Sequence, residues 1–440
     1  MTWRVEHGDC REVMARMEPE SVTAIVSDPP YGLSFMGHGW DHSVPGVEFW
    51  TAALRVLKPG GMLLAFGGTR TWHRLACAIE DAGFVIRDSM MWLYGSGFPK
   101  SLDISKAIDK DAGAEREVVG RRDYTAPDVR GNSYANAAVS DRDRLGVEIT
   151  APATPAAREW HGYGTALKPA WEPVIVAMKP LDGTFVENAL RHGVAGINVD
   201  GCRIATDVPW KPHMATGLAK RKFFTEGDAN EIEKKPHGLG RWPANVILDE
   251  EAGAMLDAQS GESVSSGGTG TGQNGASRLG VTTGAGEHLG GLGDVGGASR
   301  FFYCAKADRS EREAGLDKFP TSQIRLTQNP LVRAKHGDDA GYRRRNTHAT
   351  VKPLDLMRWL CRLVKMPKGT VILDPFCGSG STGCAAVLEN CDFIGIELNP
   401  EYANIARARI AHWEKTGAPL AQPKRNPAEM PGTPLFGDMP

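Results

Sequence analysis

Residues 370–383 read T-V-I-L-D-P-F-C-G-S-G-S-T-G. A short apolar run, Val371 to Leu373, reads as a strand, and a helix is expected over Thr382 to Glu389. Between them Gly378, Gly380 and Gly383 satisfy G-x-G-x-x-G in the strand-turn-helix setting that pattern requires. Glycines there let backbone approach a ligand, and a helix N-terminus favours an anionic group. A second strand, Phe393 to Ile396, ends in Glu397, about 20 residues downstream, where a carboxylate would accept from ribose hydroxyls. The stretch therefore points to an α/β sheet and a nucleoside-containing cofactor. Asp374 at the strand end would repel a pyrophosphate but tolerate a ligand carrying amino and sulfonium charge. Too few residues follow Glu397 in a chain of 440 to complete a dinucleotide domain. The missing strands must come from elsewhere.

The N-terminal part supplies candidates: Trp3 to Glu6, Val22 to Ser27, Gly61 to Phe66 and Phe84 to Trp92. Helical patterns lie between them at Arg11 to Met17, Gly46 to Leu57 and Thr71 to Ala82. Lys58-Pro59-Gly60-Gly61 reads as a stop and turn before the third strand. The strand ending at His7-Gly8-Asp9-Cys10 is expected beside the one ending at Glu397. Val22 to Ser27, which ends in Asp28-Pro29-Pro30-Tyr31, is expected to flank the glycine-loop strand. All these loops then gather at the carboxyl edge, where open α/β sheets bind ligands.

The bulk properties exclude several classes. Hydrophobic content of 41% with no run near 20 apolar residues argues against a membrane protein. There is no secretory leader pattern, so a cytoplasmic location is expected, in a bacterial host or phage-infected cell. The eight cysteines show no C-x-x-C pair, so no metal is expected. A formal net charge of −2 leaves nucleic-acid contact to local patches. Residues 95–170 are polar with little period. Glu172 to Ala177 is an isolated strand, expected to pair with Phe84 to Trp92. Short elements such as Trp242 to Leu248 follow, then a Gly/Ser/Thr-rich loop at 261–297. A helix from Lys352 to Val364 and another over Glu401 to Trp413 complete the C-terminal part, before a Pro-rich tail.

Together, D-P-P-Y at 28–31, the F-C-G-S-G loop and Thr347-His348-Ala349-Thr350-Val351-Lys352-Pro353 resemble the S-adenosylmethionine-dependent amino DNA methyltransferases. The motif order resembles their β arrangement, and stretches such as G-S-G-F-P-K-S (95–101) and R-F-F-Y-C-A-K-A (300–307) resemble a phage or prophage branch. The family usually has proline where Ala349 stands. The resemblance implies a circularly permuted, Rossmann-like class I methyltransferase sheet with a large irregular target-recognition insertion. Its divisions would be 1–94 and 341–415 for the catalytic domain, 171–179 for a sheet strand, 95–170 and 180–340 for insertions, and 416–440 for a disordered tail.

The chemistry explains the corner. The lone pair of an exocyclic amino group is delocalised into the base, so the group is a poor nucleophile. Two acceptors, the Asp28 carboxylate and the Pro29 carbonyl held by Pro30, would draw that lone pair out of conjugation. Tyr31 would offer a face to a base that has left the duplex. No metal or covalent intermediate is needed. On the cofactor side, Asp374, Phe376, Gly378 and Gly380 are expected to line the methionine end, with Ser381 or Thr382 near its carboxylate. Glu397 would hold the ribose, and Asp9 the adenine amino group, with Cys10 contributing backbone. Thr350, Lys352 and Pro353 would close the pocket, with Lys352 toward the cofactor carboxylate. Lys220-Arg221-Lys222 and Arg343-Arg344-Arg345 are candidate phosphate contacts. Trp40 and Phe98 could stack or pack. The expected partner is double-stranded DNA, with a homodimer left open. Adenine-N6 is the expected target, since Ser at position 28 would have favoured cytosine-N4. An NAD(P)-binding oxidoreductase or an inactive DNA-binding module stands as the alternative from another class.

Overall fold

The computed structural model describes residues 1–33, 42–97, 101–122, 147–206, 240–264, 294–306, 310–325, 341–348 and 350–417. Nine strands form one sheet: β1 (Trp3–His7), β2 (Val22–Ser27), β3 (Leu57–Phe66), β4 (Val85–Leu93), β5 (Trp171–Met178), β6 (Val246–Asp249), β7 (Tyr303–Ala305), β8 (Val371–Asp374) and β9 (Asp392–Glu397). Their spatial order is β1-β9-β8-β2-β3-β5-β4-β6-β7. The two ends of the chain thus share one sheet. His7 lies opposite Glu397, and Ala24 and Ile25 lie opposite Ile372 and Leu373, as the sequence led us to expect.

Eight strands run parallel and β5 alone runs against them, between β3 and β4. Reversal has a positional consequence. The carboxyl ends of the parallel strands meet at one edge, and β5 brings its first residues, Trp171 and Glu172, to that same edge. Glu172 lies opposite Trp92 and Val174 opposite Phe66.

A parallel sheet is buried on both faces, so its strands read as continuous apolar runs. All six residues of β2 are buried. Alternate side chains then supply two cores. Val26 and Leu64 face one core with Trp359, Leu360 and Ile410. Ile25 and Leu63 face the other with Trp50, Leu75 and Ile79. Each such aliphatic side chain contributes about 1.5–3 kcal/mol relative to exposure. Helices α1 (Cys10–Arg16), α2 (Val47–Val56) and α3 (Trp72–Asp81) cover the second face; α4 (Leu354–Leu363), α5 (Ser381–Leu388) and α6 (Pro400–Thr416) cover the first.

Two features depart from the sequence reading. Lys58-Pro59-Gly60-Gly61 does not turn the chain between helix and strand. It is drawn into β3, which starts at Leu57, and the irregularity is absorbed as a register shift against β2. Gly60 takes the left-handed backbone this bend needs, at φ +77°. The sheet also reaches into 180–340, because β6 and β7 extend it beyond β4 as a parallel pair. The Lys220 to Lys222 run, Trp40, Phe98, residues 265–293 and the tail from 418 lie outside the described residues. Among the described residues, no helix is long and apolar enough to cross a membrane.

Candidate active site

Where β2 stops, Asp28 to Tyr31 fold over the sheet edge. Pro29 is buried, and the Thr71 hydroxyl donates to the Tyr31 carbonyl at 2.6 Å, tying the corner to the loop before α3. Four polar groups meet above it. Tyr31 Oη lies 2.8 Å from Asp28 Oδ1 and 2.9 Å from Glu172 Oε2. Lys352 Nζ lies 2.7 Å from Asp28 Oδ2, 3.1 Å from Tyr31 Oη and 3.3 Å from Glu172 Oε2. The ammonium also sits over the rings of Tyr31 and Phe66, at 5.2 and 4.9 Å. Lys352 is only 8% exposed, so burial works against its charge. The carboxylates of Asp28 and Glu172 outweigh that penalty and hold its pKa above the ordinary lysine value. Burial first, and then the same two carboxylates, push the Tyr31 phenol well up, which keeps it a neutral donor.

The glycine loop stands beside this corner. Gly378 and Gly380 take φ values of +54° and +82°. A Cβ on Gly378 would lie 2.8 Å from His348 Nε2, and one on Gly380 would lie 2.9 Å from Ala406 Cα. The loop is therefore clamped between the segment before α4 and the face of α6. Arg409, 1% exposed, holds it from below: Nη1 donates to the Ser379 carbonyl at 2.6 Å, and Nη2 to the Glu311 carbonyl at 3.2 Å.

Asp374 occupies a different place from the one expected. Its carboxylate is sunk between strands, 1% exposed. Oδ1 accepts from Ser27 Oγ at 2.6 Å and from the Phe376 amide at 3.1 Å, and Oδ2 accepts from Thr382 Oγ1 at 2.6 Å. It fastens β2, β8 and α5 together. Burial raises its pKa to about 6 against the pull of those donors. The Thr382 hydroxyl is consumed by this contact, so of the expected pair Ser381 has the more open hydroxyl, half-buried at the start of α5. Lys352 likewise faces Asp28 and not the glycine loop. Tyr31 spends its hydroxyl on the carboxylates, and its half-buried ring packs on the Lys352 ammonium.

The remaining expected residues line the same edge. Glu397 accepts from the Gly378 amide at 2.7 Å and the Asn399 amide at 2.8 Å, and burial raises its pKa. Asp9 caps α1 and accepts from Arg11 Nη2 at 2.6 Å, which keeps its carboxyl below the ordinary value. Cys10 is buried; burial first, with the neighbouring Asp9 charge, pushes its thiol up to about 12. Phe376 packs beside Phe49 and Trp50, with ring centroids 5.8 and 6.0 Å away, and Arg11 covers Phe49. Thr350 offers its carbonyl to His348 Nδ1 at 2.6 Å, and Pro353 caps α4. Arg343 and Arg344 lie in a strand, Gly341–Arg344, paired with Ser322–Arg325. The amide of half-buried Arg345 donates to Glu313 at 2.9 Å.

Reasoning from the sequence did not single out Glu172, His348, Arg409 or Glu311. Glu172 opened an expected strand, but its value lies in that strand's direction. Among the described residues, no group of three or more His, Cys, Asp or Glu side chains is placed to hold a metal ion.

Residues 298–408 match the model of the N6/N4 methyltransferase family, described as DNA methylase. The segment carries the glycine loop, Glu397 and Lys352. The chain is 38% identical over 113 residues to the type II methyltransferase M.Cfr9I of Citrobacter freundii, covering 26% of this chain and 33% of that protein. It is 40% identical over 63 residues to the DNA adenine methyltransferase YhdJ of Escherichia coli K12, covering 14% and 21%. The match thus spans about a third or less of the length of these relatives. Among solved structures, the cytosine-N4-specific PvuII DNA methyltransferase aligns over 93% of this chain and 86% of its own, at 12% identity and a TM-score of 0.40.

Proposed function

We propose that the chain is an S-adenosylmethionine-dependent DNA methyltransferase acting on the N6 amino group of adenine in double-stranded DNA. One observation carries the reading. The D-P-P-Y corner and the glycine loop, at opposite ends of the sequence, are neighbours joined by the 2.6 Å bond from Ser27 to Asp374. The family match over 298–408 supports it from the other side.

The residues fit the cofactor. The left-handed Gly378 and Gly380 shape the loop beside the corner, and the carboxyl groups of Asp9, Asp28 and Glu397 suit a ligand bearing amino and sulfonium charge. When bound, S-adenosylmethionine supplies an activated methyl group on a cationic sulfur. The chain's own residues do the rest. Glu397 would accept from ribose hydroxyls, Asp9 from an adenine amino group, and Ser381 with the amides that open α5 would hold the carboxylate. The Asp28 carboxylate, held at one oxygen by Tyr31 and at the other by Lys352, is the acceptor for a target amino group once those donors turn aside. With the Pro29 carbonyl it turns the nitrogen lone pair out of the ring plane, and two such preorganised acceptors contribute a few kcal/mol each, about 10²-fold or more in rate. The target base must leave the duplex to reach them. Residues 95–170 and 180–340 would contact the duplex, with Arg343 to Arg345 toward phosphates.

Incubation with methyl-labelled S-adenosylmethionine and duplex DNA, followed by nucleoside analysis, tests this. N6-methyl-2′-deoxyadenosine is expected. N4-methylcytosine would overturn the adenine assignment, and unlabelled DNA would overturn the function.

A further inference from the structure

The Asp28 carboxylate has a difficulty built into it. To orient an amino group it must be available, yet Tyr31 and Lys352 both hold it. Tyr31 has one hydroxyl proton and two carboxylate oxygens in reach, Asp28 Oδ1 at 2.8 Å and Glu172 Oε2 at 2.9 Å. It cannot donate to both at once. Lys352, with three ammonium protons, spans both carboxylates, Asp28 Oδ2 at 2.7 Å and Glu172 Oε2 at 3.3 Å, and can shift its closer contact from one to the other. Both donors that mask Asp28 therefore find their second acceptor on the same Glu172 oxygen.

We propose that Glu172 is a positioning residue for the methyl transfer, taking over the Tyr31 hydroxyl and the Lys352 ammonium when a target amino group engages Asp28. The proposal rests on the methyltransferase reading. No proton or bond is transferred in this step. A hydroxyl rotates and an ammonium leans by a few tenths of an ångström, so no buried donor is left unpaired as Asp28 is released. That matters because an orphaned buried donor costs about 1–3 kcal/mol, and more when it is charged. The exchange depends on β5 running antiparallel, since only its first residues reach this edge. It also accounts for two carboxylates beside one ammonium.

The test uses the full chain and five proteins: wild type, Glu172→Gln, Glu172→Asp, the pair Tyr31→Phe/Lys352→Met, and that pair combined with Glu172→Gln. Single-turnover methylation of duplex DNA, the cofactor Kd and the melting temperature are measured for each. Glu172→Gln should slow the chemical step about tenfold or more while leaving the cofactor Kd unchanged. Glu172→Asp, which keeps the charge, should recover part of that loss. In the Tyr31→Phe/Lys352→Met background, removing Glu172 should cost less than about twofold, because its donors are gone. Wild-type turnover in Glu172→Gln, or an equal loss in both backgrounds, overturns the proposal. If the wild type methylates no DNA, the function reading fails. The melting temperatures then decide the shared contact: non-additive shifts support it and additive ones overturn it.

Discussion

Gly380→Ala perturbs the cofactor loop at a site where the cost can be worked from geometry. Gly380 has φ +82°, and an added Cβ would lie 2.9 Å from both Cα and Cβ of Ala406. The left-handed conformation costs an alanine about 1–2 kcal/mol. Ordinary contact begins at 3.4 Å, so loop and helix must part by at least about half an ångström (3.4 − 2.9). The obstacle is the backbone of α6, which cannot swing aside, and overpacking of this kind costs about 1–3 kcal/mol. The sum is about 2–5 kcal/mol. Gly113 provides the control. It too is left-handed, at φ +63°, but a Cβ there meets nothing within 4 Å. Gly113→Ala should therefore show only the conformational cost, with cofactor affinity unchanged. Urea unfolding measures the stability difference, and titration calorimetry with S-adenosylmethionine measures the second effect. Displacement of the loop amides should weaken cofactor binding by about tenfold or more, equivalent to about 1.4 kcal/mol. Equal urea midpoints for the two variants, with cofactor affinity intact in Gly380→Ala, would refute both the clamp against Ala406 and the loop's assignment.

The remaining predictions concern the carboxylates and His348. Asp28→Ala should lower the methylation rate by about 10²-fold or more with cofactor Kd unchanged, measured by single turnover and calorimetry. Thr382→Val removes one donor to a buried carboxylate and should cost about 1.5–3 kcal/mol in urea unfolding, while raising the Asp374 pKa further. Burial lowers the His348 pKa to about 4. The unfolded chain therefore binds this proton more readily, and the stabilising contribution, full above pH 6.5, is lost as pH falls through 6.5 toward 4. The loss totals about 3 kcal/mol. Asp374, raised to about 6, has the opposite sign: its contribution is full below pH 3.8 and is lost as pH rises through 6. Urea unfolding at pH 7 and pH 4.5 should show wild type losing stability relative to His348→Gln, and gaining it relative to Asp374→Asn.

Much of the sheet was legible because its strands carry local signals. Val22 to Val26, broken only by Thr23, and Val371 to Leu373 are apolar runs closed within a few residues by an Asp-Pro pair, and such runs suit a strand buried on both faces. Pairing between the chain ends followed from counting, since neither half could close a cofactor domain alone. Direction was not legible. The run at 174–177, V-I-V-A, is as apolar read backwards as forwards, so nothing local reveals that β5 opposes its neighbours. That hidden sign is what turns Glu172 from the first residue of a strand into a partner of Tyr31 and Lys352. Asp374 teaches the complementary lesson. A carboxylate at the end of a parallel strand is the right residue in the right place to meet a ligand. Its actual partners are two hydroxyls, one on Ser27, 347 positions away, and one on Thr382, eight positions on, with the Phe376 amide beside them. Whether a carboxylate faces a pocket or pins two strands together depends on which donors tertiary structure brings within 3 Å. A pattern of residue types along one strand carries no record of them. For this reason the corner's composition was readable but its wiring was not. The experiments on Glu172 and Gly380 bear on that wiring directly, because each targets a contact made across the sheet or between chain segments far apart in sequence.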